Sequence, residues 1–159
     1  MKSWIFSFLA AVILCLWCGL PFPAHKTEML LPVKTVQAAL ENGQVHLVTE
    51  VGEGTGATWD EAVRSLRDDA SGAVFFDTAE QLVLCDRALT ILPEILESET
   101  LRPAAQVYRA DALRDPEGLN EYLSAHESGV TVGDLKAEYA GGSLPANSDW
   151  SRRDKEAFS

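Results

Sequence analysis

From Trp4 to Leu20 the chain runs seventeen residues with no charge and a single hydroxyl, that of Ser7. Such a run exceeds the usual apolar region of a signal peptide and reaches the short edge of a membrane span. After it the pattern changes to short apolar stretches divided by turn residues. Val33 to Leu40, then Glu41-Asn42-Gly43-Gln44, then Val45 to Val48 read as a β-hairpin, because Asn-Gly supplies the positive φ values of a tight turn. Gly52-Glu53-Gly54-Thr55-Gly56 reads as a flexible loop. Thr58-Trp59-Asp60-Glu61 then forms a capping box, and Ala62, Val63, Leu66 and Ala70 give the following helix one apolar face, ended by Gly72.

Ala73 to Phe76 and Gln81 to Cys85 have strand character. Arg87 to Ser98 is helical, with Pro93 dividing it, and Ala104 to Arg109 is a further strand. Asp115-Pro116-Glu117 opens another helix with the buried stripe Leu119, Tyr122 and Leu123, and Thr131 to Tyr139 forms a last short helix. There is no internal repeat. The pattern predicts an α/β or α+β fold, a mixed β-sheet packed with helices and preceded by one N-terminal hydrophobic helix. Its divisions are an anchor or signal segment over 1–24, a linker over 25–32, an extracytoplasmic domain over 33–140 and a flexible tail over 141–159.

Charge decides which side of a membrane that domain occupies. Lys2 is the only charged side chain before residue 21, so the positive-inside rule leaves the N-terminus in the cytoplasm and the domain outside. The whole chain has 13 basic and 24 acidic residues; without Lys2 the balance is 12 − 24 = −12. A domain of that charge repels phosphate backbones, so nucleic acid is not an expected partner. Membrane attachment runs through residues 4–20, with membrane-embedded proteins as candidate partners. Cleavage chemistry is poor at Phe22-Pro23-Ala24; Val36-Gln37-Ala38 has better residues but falls in an expected strand. Cys15 follows Leu14 and Cys18 follows Trp17, bulky residues that do not make a lipidation site. An uncleaved single-pass anchor fits best.

Candidate chemistry is sparse. Gly52, Gly54 and Ala57 match G-x-G-x-x-A, and Asp77 follows the next apolar strand, as a dinucleotide site would require. Glu53, Asp60 and Glu61 crowd the position of the pyrophosphate, and a solvated glycine turn explains the residues better. His25, His46 and His126 have no partners at metal-ligand spacing. Asp68-Asp69 reads as a solvated helix face, and Cys85, alone in the folded part, as a buried inert thiol. No catalytic, cofactor-binding or metal set is expected. The alternative is an anchored or secreted hydrolase working through two carboxylates, which nothing selects among the 24 acidic residues.

The order of motifs resembles the N-terminal domain of the Ger(x)C family of spore germination proteins. Glu53-Gly54, Thr58, Glu61-Ala62 and Leu66 match the start of that family's first helix. Phe75-Phe76, then Leu82-Val83-Leu84, then Cys85-Asp86 follow where the family has an aromatic pair, an apolar strand and Gly-Glu. Leu92-Pro93-Glu94-Ile95-Leu96, Arg102 and Gln106-Val107-Tyr108 occupy the places of its Leu-rich helix, Arg and next strand. The similarity covers residues 33 to 140. Asp77-Thr78 stands where the family has Gly-His, and the lipidation motif is not recognisable. The resemblance implies a non-enzymatic, membrane-attached subunit on the outer face of the spore inner membrane, acting with two membrane-embedded partners in the response to germinants.

Overall fold

A computed structural model describes residues 29–116 and 118–142. The segment from Trp4 to Leu20, with its expected helix, and most of the expected tail lie outside the described residues. Among the described residues no helix is long and apolar enough to cross a membrane.

Five strands form one mixed sheet in the order β4-β3-β2-β6-β7. The hairpin is β2 (Thr35–Glu41) with β3 (Gln44–Thr49), antiparallel from Glu41 opposite Gln44 to Val36 opposite Thr49. Asn42 at φ 52° and Gly43 at φ 79° make its two-residue turn. The segment read as a loop is instead a strand, β4 (Gly52–Gly56), paired antiparallel to β3. On the other side, β6 (Gln81–Cys85) and β7 (Gln106–Ala110) continue the sheet parallel to β2. The fold is therefore α+β. Val36-Gln37-Ala38, the better cleavage sequence, lies inside β2 with neighbours on both sides.

Strand alternation gives the sheet two unlike faces. On the first, Val36, Ala38, Val45, Leu47, Leu82, Leu84 and Val107 form the main core with residues of three helices, α1 (Trp59–Asp69), α2 (Leu92–Glu97) and α4 (Val132–Ala140). Trp59 is its largest fully buried side chain. Pro93 lies in the first turn of α2, and a 3-10 turn over Asp86–Ile91 precedes it, so the expected helix is divided as its proline indicates. Thr131 caps α4 through a reciprocal box with Asp134.

On the second face, α3 (Leu119–Ser124) packs on a small cluster of Val83, Tyr108, Ala110, Leu119 and Leu123. The helix expected from Asp115 starts later, because Gly118 at φ 84° turns the chain just before Leu119. Of its expected stripe, Tyr122 is instead exposed and stacks on His126 with ring centroids 4.5 Å apart. Glutamines secure this layer alongside the apolar contacts. Fully buried Gln37 bonds both backbone groups of Arg114, at 2.7 and 2.9 Å. Gln81 accepts from the Thr35 hydroxyl at 2.8 Å and donates to Ser124 Oγ at 3.0 Å.

The residues expected to form a linker also contain a strand. β1 (Leu30–Pro32) pairs in parallel with β5 (Ala73–Phe75) as a separate two-stranded ribbon. Gly72 permits it, since a Cβ there would meet the Met29 carbonyl oxygen at 2.2 Å.

Candidate functional site

Of the glycines that suggested a dinucleotide site, Gly54 serves helix packing together with Gly56, whereas a Cβ on Gly52 would meet nothing within 4 Å and that residue has a positive φ of 149°. Gly52, Gly54 and Gly56 lie opposite Thr49, Leu47 and Val45, so all three turn toward the face that carries α1. A Cβ on Gly54 would stand 2.3 Å from the Ala62 carbonyl oxygen, and one on Gly56 2.5 Å from the Ala62 nitrogen. The glycines let the helix backbone settle on the edge strand. The donors at the start of α1 are also engaged. Thr58 Oγ1 accepts from the Glu61 N–H, Glu61 Oε2 from the Ala57 N–H at 2.9 Å, and Glu94 Oε1 from the Trp59 N–H at 2.7 Å. Two carboxylates thus occupy the place a pyrophosphate needs. Asp77 is exposed in the 3-10 turn after β5, outside the main sheet.

The other singled-out residues are scattered. His46 is half-buried on β3, on the second face, whereas His126 follows α3 with Nδ1 2.9 Å from the Tyr122 carbonyl. His25 lies outside the described residues. Asp68 and Asp69 are exposed at the end of α1. Among the described residues no three His, Cys, Asp or Glu side chains come together as metal ligands.

The site that the tertiary structure does assemble lies at the C-terminal ends of the three parallel strands, where open sheets commonly offer a crevice. A cleft of about 430 Å³ is lined there by Glu41 and Asn42 at the end of β2, Cys85, Asp86 and Arg87 at the end of β6, and Asp111 after β7. Asp86 is held by Arg109 across the strand end, Nε to Oδ1 2.5 Å. Burial, and then the charges of Asp86, Glu41 and Asp111, push the Cys85 thiol up to about 11. The shift favours the protonated thiol at neutral pH, the poorly nucleophilic form. The rim carries three carboxylates and Arg87, with Asp86 paired to Arg109, and the remaining acidic excess suits a cationic or hydrogen-bond-donating partner better than an anion.

A second cleft of about 410 Å³ lies on the second face, between β3–β4 and the chain at Arg114–Pro116. His46, Thr55 and Glu53 line it, and the bonds from Gln37 to Arg114 hold its wall.

No catalytic set was expected at the carboxylate cleft, and its acids were not singled out from sequence. They come from three segments far apart in the chain. A signal did exist: Leu40-Glu41, Cys85-Asp86 and Ala110-Asp111 each put an acid at the end of an apolar strand or directly after it.

No protein-family model matches the chain, and no curated protein or solved structure matches it either.

Proposed function

We propose that this chain is a non-enzymatic interaction domain, held on the outer face of a membrane by an uncleaved N-terminal anchor. The observation that carries the reading is the uncharged run from Trp4 to Leu20, preceded by Lys2 and followed by a chain with a balance of −12. The folded part supports it. Gly54 and Gly56 are consumed by packing, burial and nearby carboxylates favour the protonated form of the cysteine, and the clefts are edged by charge suited to recognition.

The resemblance to Ger(x)C proteins gives the reading its finer form, a spore germination subunit at the spore inner membrane with membrane-embedded partners. Its motifs fall in order on β4 and α1, β5 and the turn after it, β6, α2 and β7. Protease treatment of intact cells, read by mass on the membrane fraction, tests the topology. Digestion of the domain that leaves a membrane stub carrying Trp4 to Leu20 is the expected result. A protected, soluble domain in the cytoplasm would overturn it.

One observation favours a second reading, the carboxylate-based hydrolase, because the cleft brings Glu41, Asp86 and Asp111 to one rim. Hydrolysis of a glycoside or peptide panel, abolished by Glu41→Gln or Asp111→Asn, would establish it over the first.

A further inference from the structure

The β1–β5 ribbon presents an apolar surface to the outside of the fold. In parallel strands, residues opposite one another point to the same side. Leu30 lies opposite Ala73 and Pro32 opposite Phe75, so these four share one face, while Leu31 and Val74 share the other. That first face has no polar side chain. Leu30 is 67% exposed and Phe75 44%, with Met29 beside them 72% exposed; among the described residues the one other large exposed hydrophobic side chain is Tyr122. Main-chain bonds hold the ribbon in place. The Ala73 N–H donates to the Met29 carbonyl at 3.1 Å and the Val33 N–H to the Phe75 carbonyl at 3.2 Å. The Thr78 hydroxyl donates to the Phe75 and Val33 carbonyls at 2.8 and 2.9 Å. A solvent-facing ribbon with this composition is unusual in a chain that is 23% charged, and it marks a contact surface.

Its position in the chain indicates the occupant. Residues 21–28 alone separate the uncharged run from Met29, and eight residues span at most roughly 29 Å when extended. The apolar ribbon is thus the part of the fold nearest the anchor in sequence. We propose that the outward face of this ribbon, Leu30, Pro32, Ala73 and Phe75, lies in the lipid interface of the membrane that holds the anchor. This rests on the anchored reading and adds an orientation to it. β2, β6 and β7 all start at the ribbon end, where the Lys34 carbonyl accepts from the N–H groups of Glu80 and Gln81. Their C-terminal ends lie about 20 Å away along the seven residues of β2. The cleft of Glu41, Asp86 and Asp111 then points away from the bilayer, open to a partner, with its carboxylates remote from the headgroups.

Photo-crosslinking of the full-length protein in phosphatidylcholine vesicles tests this. Benzoylphenylalanine is placed at position 75 or at position 44, two exposed sites at opposite ends of the sheet. About tenfold more lipid adduct at 75 than at 44 is the expected result, since interfacial burial brings a side chain into the acyl boundary. Equal or absent lipid labelling, with the protein still resistant to alkaline carbonate extraction, would overturn the ribbon contact while leaving the anchor intact. Adducts at 75 to the chain's own N-terminal peptide, or to a second copy, would overturn it as well. Release of the protein by carbonate would overturn the anchor and this inference together.

Discussion

A methyl group at position 54 would stand 2.3 Å from the Ala62 carbonyl oxygen and 2.7 Å from Leu66 Cβ. Gly54→Ala is therefore expected to destabilise the protein by about 1–3 kcal/mol in urea unfolding, because α1 must lift from β4. In a flexible loop the same change would be neutral or slightly stabilising. Cys85 is the second informative residue. With its pKa raised from 9.0 to about 11, the neutral thiol contributes stability that is complete below pH 9.0 and is lost as pH rises toward about 11. Its alkylation by iodoacetamide at pH 8 should run about 100-fold slower in the native protein than in urea, from thiolate fraction alone. Peptide mapping separates it from Cys15 and Cys18. Equal rates would show that burial and the three carboxylates do not protect it.

At the scale of elements, the β2–β3 hairpin is specified locally, and so it was readable. Only Asn-Gly among its residues meets the positive φ of both turn positions. Replacing Asn42-Gly43 by Ala-Ala should cost about 1–2 kcal/mol in denaturant unfolding; a neutral result would mean the turn does not set the register. The cap of α1 was readable for the same reason, since Thr58–Glu61 satisfies helix-end donors within four residues of chain, and the structure adds a second box of the same kind, Thr131–Asp134, at α4. Hydrogen bonds from the Thr131 hydroxyl and backbone hold the Asp134 carboxyl below its ordinary 3.8. The capping bonds are thus complete above that value and weaken as pH falls through the lowered one, so amide exchange at the start of α4 should rise first in acid. Unchanged protection there would argue against the box.

β4 was misread for an equally physical reason. Its core-facing positions are glycines that make room for a helix, and its outer positions are Glu53 and Thr55, so the apolar alternation of a strand is absent. β1 has three residues and ends in proline, and it becomes a strand only because Gly72 lets β5 approach. The helix expected from Pro116 begins after Gly118, where a left-handed turn overrides the proline signal.

For the whole molecule, charge is the dominant global property. A balance of −12 after Lys2 repels itself, and salt screens that repulsion within a Debye length of about 8–10 Å. Raising sodium chloride from low ionic strength to physiological and beyond should increase the melting temperature; a fall would mean that specific ion pairs outweigh the net charge. The candidate cleft also exists only at this scale. Its acids stand at the ends of three strands, and no local pattern says which strand ends are neighbours.

The sequence by itself determined the uncharged N-terminal run, the acid excess, the hairpin turn and the cap of α1, because each depends on residues adjacent in the chain or on composition. It also specified an alternation of helices and strands that could only become a mixed sheet with helices. Tertiary structure alone decided that the glycine stretch is an edge strand under α1, that Leu30–Pro32 pairs with Ala73–Phe75, and that Glu41, Asp86 and Asp111 share one cleft. Those outcomes depend on contacts between segments tens of residues apart, where packing and strand order, rather than local propensity, set the lowest free energy.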